Sequence, residues 1–387
     1  MAMNGPTQRD GSDGAVDRVA TLNIFQDLAS PHNNVLVKAL KARPDMVVKT
    51  WYAYETMPGY PQKVCYAHDL GRSEIFGGQR VNLEALRYWL THPAEKYLLV
   101  GWSNPTQRWL ILLSWALGRS FAYWTDHPKD KPDRGRLNRA AHRIVLRILA
   151  KRARPLFAVG QHTIAYFASR GIPRENMVNL PIFVEVPRDL AAARAGAVAI
   201  RQKHGVQAGE VFVVAGSRLL WEKGYDVLIE ALAMLEPPLA QRFRLLLVGS
   251  GPEERKLRAL INDRNLGGRC TMIGWLPAAE FLETIASADV FVHPARFDAW
   301  GGGTLHAMAL GVPVIGSRGA GAANDRVEHG GSGLIYQNDE PALLRDCLRQ
   351  ALENPDILKA MGAKARETAE RWAPAKGAEI VRRALVR

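Results

Sequence analysis

Hydrophobic and polar positions along the chain fall into two alternating patterns. Short apolar runs cover residues 19–25, 46–52, 97–102, 120–125 and 156–160, and these read as strands. Between them, over 34–41, 106–117 and 161–169, apolar side chains recur at the spacing of one helix face. Around residues 182–205 the alternation breaks, where Pro187 precedes an Ala-rich stretch that reads as a linker leading into a helix. It then restarts, with strands expected at 211–216, 243–249, 270–273, 290–293 and 312–315 and helices at 225–235, 253–262, 279–286 and 304–310. Strand–helix alternation builds parallel sheets with helices on both faces. The expected fold is therefore α/β: two doubly wound, Rossmann-like units in tandem, facing a central cleft. Their expected limits are 19–190 and 191–370, behind a flexible tail over 1–18 and before a short basic helix in 371–387 that crosses back to the first unit. Ligands of such sheets sit beyond the carboxyl ends of the strands, at helix N-termini. Candidate residues should lie just after strands.

Length and composition agree with this picture. The chain has 387 residues, enough for two buried cores. Its longest apolar run, around Trp109 to Leu117, is interrupted by Ser114 and falls short of the ~18–20 residues that a membrane span needs. The polar N-terminal stretch has no apolar core, so no secretory signal is expected and the chain reads as cytoplasmic. Cys65, Cys270 and Cys347 are far apart and match neither a metal spacing nor a disulfide framework, so no metal or other cofactor is expected. The net charge of +13 is unevenly placed: residues 1–200 carry 27 Lys and Arg against 16 Asp and Glu. That half is expected to face a polyanion or an anionic membrane. Residues 134–154 contain no acid, and Arg139, Arg143, Arg147 and Lys151 recur every fourth residue as one helical stripe. Leu137, Ile144, Val145, Ile148 and Leu149 supply an apolar side. The helix either packs on the sheet with solvated cations or docks to anionic lipid, and it can do both.

Three segments of the second half carry candidate chemistry. Gly216–Gly224 follows a strand and opens a helix; Arg218 and Lys223 lie in it beside orphan backbone N–H groups, a good pyrophosphate site. The alternative is a solvated loop. Val248–Glu254 is a strand-to-helix glycine turn with Pro252 suited to the first helical turn. The third segment runs from His293 to Ile315 and holds Asp298, Trp300, three consecutive glycines (Gly301, Gly302 and Gly303), Thr304 and His306. Glycines opening a helix let backbone amides approach an anion closely.

Together these segments resemble the donor domain of the retaining GT-B glycosyltransferases of family four. The match rests on Arg218 and Lys223 in the glycine-flanked loop and on Asp298 and His306 at the two acidic positions of the family's Glu-x(7)-Glu element. It also takes in Trp300-Gly301, Ala307-Met308-Ala309, Gly311 and Pro313-Val314-Ile315, and the turns around Gly319-Ala320-Gly321 and Gly331-Ser332-Gly333-Leu334. It covers about residues 205–360 well and the first half in layout only. The resemblance implies that Arg218 and Lys223 hold the donor diphosphate and that Asp298 contacts the transferred sugar. His306 stands where a Glu usually grips the ribose hydroxyls; an imidazole offers one hydrogen bond there rather than a bidentate acceptor. Gly274, Trp275 and Leu276 match the base-binding loop, where Trp275 either stacks on the base or packs under the loop while the backbone reads the base. In the family that the chain resembles, a His near the end of a first-half strand lies close to the donor sugar, which points to His127. The family's glycine pair after the first strand is absent: Gln26 to Asn34 stand there, with Ser30 or Asn33 able to cap a helix and His32 a weaker candidate.

On the acceptor side, Asp126 can orient His127 or bind acceptor hydroxyls, or the pair merely closes the loop to Pro128. Trp102 and Asn104 end the preceding strand in the same way, and His68-Asp69 is a further candidate pair. The expected function is transfer of a sugar from a nucleotide diphosphate sugar to a glycan or lipid-linked saccharide, with retention and without a metal, in the cytoplasm or on the inner face of its membrane. No second carboxylate is placed as a nucleophile, which favours a front-face route. A degenerate sugar-nucleotide-binding subunit and an epimerase or phosphorylase on the same fold are the alternatives. Nucleic-acid binding would need aromatics interleaved with the basic stripe, and residues 134–154 contain none.

Overall fold

A computed structural model describes residues 20–28, 30–54, 74–75, 80–128 and 136–385, without the side chains of residues 31–32, 74–75 and 136–138. The expected tail, Cys65, the pair His68-Asp69 and the side chains of His32 and Leu137 lie outside the described residues.

The first half forms β1 (Ala20–Leu28), α1 (Pro31–Lys41), β2 (Met46–Tyr54), β3 (Glu74–Ile75), α2 (Leu83–Thr91), β4 (Lys96–Val100) and α3 (Pro105–Ala116). It continues with β5 (Phe121–Thr125), α4 (Arg136–Arg152), β6 (Ala153–Ala158), α5 (Gly160–Ala168) and β7 (Met177–Asn179). The strands make one seven-stranded parallel sheet in the order β3-β2-β1-β4-β5-β6-β7. Short polar caps start α1, α2 and α3. Ser30 accepts from the Asn33 amide at 3.2 Å with Pro31 in the first turn, and Asn82 accepts from the Ala85 amide at 3.0 Å. The sheet is buried on both sides, with Phe25, Trp51 and Trp89 under the α2–α5 layer and Leu22, Ile24 and Tyr52 under the opposite one.

The Ala-rich stretch is not bare linker. It forms two short helices, α6 (Leu190–Ala193), capped by Asp189, and α7 (Ala197–Lys203). Then come β8 (Val211–Gly216), α8 (Tyr225–Ala233), β9 (Phe243–Val248), α9 (Glu254–Asp263), β10 (Cys270–Ile273), α10 (Ala278–Ala286), β11 (Val290–His293) and α11 (Gly302–Ala309). The rest is β12 (Val314–Ser317), α12 (Gly321–Arg326), β13 (Gly333–Tyr336), α13 (Pro341–Glu353), α14 (Pro355–Arg371) and α15 (Pro374–Leu385). A six-stranded parallel sheet results, ordered β10-β9-β8-β11-β12-β13. Residues Gly333 and Leu334, expected in a turn, begin its edge strand.

Both sheets reverse direction beside their first strand, which opens the crevice where such folds bind ligands. The final helix, α15, lies on α1 of the first sheet. Ala378, Val381 and Leu385 are buried there, each fully buried Val or Leu worth roughly 1.5–3 kcal/mol. Two cross-links fix it: Arg43 to Glu379 at 3.1 Å and Arg382 to Asp45 at 2.5 Å. Arg43, then Arg382, hold the Asp45 carboxyl down to about 2.

Candidate active site

The C-terminal ends of β8 and β11 bring the donor-side residues together. Beyond β8 the chain makes one helical turn, Trp221–Lys223, and reverses at Gly224 before α8. Gly224 has φ +67°, and its Cα lies so close to the Pro294 carbonyl that no Cβ fits. This seats Lys223 against the loop after β11, where its Nζ meets Asp298 Oδ2 at 2.5 Å with both side chains largely buried. Arg218, in the same loop, is exposed and has no side-chain partner among the described residues.

Asp298 has a second partner. His293, the last residue of β11, is buried and places Nε2 3.1 Å from Asp298 Oδ2 and Nδ1 2.9 Å from Thr304 Oγ1. A carboxylate only accepts, so Nε2 carries the proton in that contact. Burial alone would raise the Asp298 pKa, but the His293 hydrogen bond and charge, with Lys223, outweigh it and hold the group well below the usual carboxylate range. Asp298 is thus a fixed, ionised acceptor at the start of the glycine loop.

The three glycines play different parts. Gly301 has φ +91°, and a Cβ there would fall inside the His293 ring. At Gly303 a Cβ would stand 2.8 Å from Phe291. Close packing accounts for glycine at these two positions. Gly302 opens α11. Thr304 is buried under the loop on His293, while His306 is half-buried on the next turn of α11.

Across the crevice, β5 ends at Thr125 and delivers Asp126 and His127. The His127 ring packs between Tyr166 (centroids 4.7 Å) and Phe297 of the opposite loop (5.1 Å), with Nδ1 2.9 Å from the Pro128 carbonyl. Asp126 is exposed at the crevice, and its carboxyl is raised from its ordinary value, first by desolvation and also by the Asp298 charge, with His127 opposing. Asp126, His127, Asp298 and Lys223 therefore converge on one place. The two halves also latch beside it: Asp325 of α12 accepts from the Gln161 amide at the start of α5 at 2.9 Å, and Trp300 covers Gly160.

Other expected residues sit differently. Asn104 is buried and caps α3, accepting from the Thr106 amide at 2.7 Å, so it is a structural cap rather than an acceptor contact. The Trp102 ring stands edge-on to His142 of α4 at 5.4 Å, which turns it toward the basic helix. Trp275 does not pack under its loop; it is 56% exposed after β10 beside the exposed Gly274, while Leu276 packs on the core. Arg139, Arg143, Arg147 and Lys151 form an exposed stripe on α4, and Ile144, expected on the buried side, is exposed with them.

Two residues escaped the sequence reading. His293 looked like the apolar end of a strand, yet its polar side chain in a buried run was a signal. Asp27 ends β1 on the acceptor side and is raised by burial, against a Ser103 hydrogen bond and the Arg108 charge. Its Oδ1 is buried without a hydrogen-bond partner, an unsatisfied acceptor of the kind that calls for an explanation.

Comparison with known proteins adds a family match over part of the chain and a fold. Residues 198–368 match the family described as glycosyl transferases group 1. The chain is 33% identical over 221 residues to a GDP-mannose-dependent monoacylated alpha-(1-6)-phosphatidylinositol monomannoside mannosyltransferase of Corynebacterium glutamicum, covering 55% of this chain and 56% of that protein. It is 34% identical over 246 residues to a GDP-mannose-dependent alpha-(1-6)-phosphatidylinositol monomannoside mannosyltransferase of Mycobacterium tuberculosis, covering 59% and 61% respectively. The chain thus spans about three-fifths of the length of these relatives. Among solved structures, Anabaena HepE in complex with UDP superposes with TM-score 0.71 at 19% identity, over 94% of this chain and 98% of that one. WaaG, a glycosyltransferase involved in lipopolysaccharide biosynthesis, gives 0.63 at 19% identity over 94% and 99%. At these identities the likeness shows the fold, the two-sheet GT-B arrangement.

Proposed function

We propose that this chain, whose residues 198–368 match the group 1 glycosyl transferases, moves a sugar from a nucleotide diphosphate sugar to a hydroxyl of a saccharide or lipid-linked saccharide, with retention. The observation that carries the reading is the convergence of Lys223 and Asp298 with Asp126 and His127 across the crevice, beside the exposed Arg218. Arg218 takes the diphosphate bidentately, and Lys223 turns from Asp298 toward the phosphate nearest the sugar. Asp298, held by His293, accepts from hydroxyls of the transferred sugar. His306 meets the ribose, and Gly274, Trp275 and Leu276 the base, Trp275 stacking on it.

In the transfer, the bond from the anomeric carbon to the phosphate oxygen breaks while the acceptor oxygen bonds from the same face. The acceptor proton goes to the leaving phosphate oxygen. Arg218 and Lys223 stabilise the charge developing on that diphosphate. His127 lies against the sugar, and Asp126 and Asp27 accept from acceptor hydroxyls. The curated relatives named above are GDP-mannose-dependent phosphatidylinositol monomannoside mannosyltransferases, which makes GDP-mannose the first donor to try and supports a lipid-linked acceptor.

Thermal unfolding with GDP-, UDP-, ADP-, dTDP- and CMP-sugars tests this. A ligand at about a hundred times its dissociation constant stabilises by roughly 2.7 kcal/mol. One nucleotide family should shift the midpoint, and Lys223→Ala should abolish that shift. An equal shift in the variant, or none with any donor, refutes the diphosphate assignment. His306 in place of an acid favours a second reading, a donor-binding subunit without transfer. Nucleotide binding with no sugar turnover on any saccharide acceptor would establish that one.

A further inference from the structure

The outer surface of the helical layer formed by α2, α3 and α4 combines two features that water-facing surfaces keep apart. Thirteen large apolar residues stand exposed among the described residues, and seven of them lie on these three helices or at the residue after α3. On α3, Trp109 is 49%, Leu112 41% and Trp115 55% exposed, while Leu110, Ile111 and Ser114 are buried on its inner side. On the adjacent α4, Arg143, Arg147 and Lys151 are exposed with no ion pair to a described residue, and Ile144 is 52% exposed among them. Neither helix contains an Asp or a Glu.

We propose that this face docks on an anionic lipid bilayer, with Trp109, Leu112 and Trp115 in the interface and the α4 stripe among the headgroup phosphates. Tryptophan suits that boundary because its ring is apolar and its indole N–H finds a partner there. The stripe supplies attraction to the negative leaflet, and an amphipathic surface of this composition lies in the interface plane rather than across it. No helix among the described residues is long and apolar enough to cross a membrane. A second copy of this chain is a poor occupant, since a self-complementary contact would bring the cationic stripes together with no acid on either helix to offset them.

The docking also orients the crevice. The N-terminal ends of α3 and α4 follow the carboxyl ends of β4 and β5, the edge from which Asp126 and His127 project. A bilayer against these helices runs past the mouth of the crevice, and an acceptor anchored in it reaches Asp27, Asp126 and His127 while its tail stays in lipid. That last step rests on the transferase reading; the docking itself does not.

Co-sedimentation with vesicles tests it. The full chain should sediment with phosphatidylcholine vesicles containing about 30% phosphatidylglycerol and not with phosphatidylcholine alone, and salt should weaken the binding. R143Q/R147Q should weaken partitioning about 30-fold. W109S/W115S should abolish it with the charge intact. Both variants should keep the wild-type melting temperature and nucleotide-induced shift, because every changed side chain is exposed. Wild-type protein that stays in solution, or a W109S/W115S variant that sediments like wild type, overturns the proposal. So does a dimer that W109S/W115S converts to monomer, or tighter binding to RNA than to vesicles. A chain that docks but transfers no sugar keeps the docking and removes the transferase reading; one that glycosylates a soluble acceptor without docking does the reverse.

Discussion

Replacing His293 with leucine tests whether Asp298 is positioned from behind. The ring is 6% exposed and makes two hydrogen bonds, to Asp298 Oδ2 at 3.1 Å and to Thr304 Oγ1 at 2.9 Å. Leucine fills much of the volume but leaves the fully buried Thr304 hydroxyl without this partner, at about 1–3 kcal/mol, and removes a charge-assisted bond worth about 1.5–3 kcal/mol. The sum is roughly 3–5 kcal/mol, a fall in melting temperature on the order of 10 °C for a domain of this size. The pH dependence carries the sharper signature. A carboxyl whose folded pKa is depressed contributes stability that is present above its unfolded pKa and lost as pH falls through the folded value. Losing His293 raises the folded value toward the unfolded one, so the deficit should be full at neutral pH and shrink as both proteins are acidified below about pH 4. Urea unfolding across that range reads it. Nucleotide binding, which rests on Arg218 and Lys223, should persist while turnover falls. A deficit independent of pH, or turnover unchanged at equal donor saturation, would show that Asp298 does not depend on His293.

Asp126→Asn should remove an acid limb of the rate profile that is shifted up from the ordinary carboxylate value, because desolvation and the Asp298 charge raise this group; an identical profile in the variant would sink its role. Asp325→Ala should cost about 1–2 kcal/mol at the α5 N-terminus and enlarge the molecule in small-angle scattering. An unchanged scattering radius would mean that the latch does not set the domain angle. Val381→Ala, at a fully buried site on α15, should cost about 2 kcal/mol in urea unfolding, and a loss under half of that would contradict tight packing on α1.

Periodicity made the two-sheet layout legible because most strands are uninterrupted apolar runs between helical patterns. It missed β3 and β7, which have two and three residues and too few side chains to show a period, and β13, whose opening Gly333-Leu334 reads as a turn. Arg218 and Lys223 could be read because cations in a glycine-flanked loop have little packing reason to be there. Asn104 could not be told from a ligand-binding residue, since a cap and a sugar contact ask for the same side chain. His293 was hidden for a different reason. Its partners, Asp298 and Thr304, lie only five and eleven residues away, but the loop that folds them back depends on Gly301 meeting the ring, a contact with no signature in spacing.

The placement of α15 sets an order of events during synthesis. One face of the first sheet is closed by a helix translated after the whole second sheet, so α1 must wait with its outer side bare. At about 5–20 residues per second, the interval between completing β7 and making α15 is on the order of 10–40 s. During that time Leu36 and Phe183, which pack on Gly377 in the finished molecule, face the ribosome-bound chain's surroundings. Nascent chains halted before residue 374 should accordingly bind a holdase chaperone that full-length chains release, and equal retention of both would rule out this vulnerability.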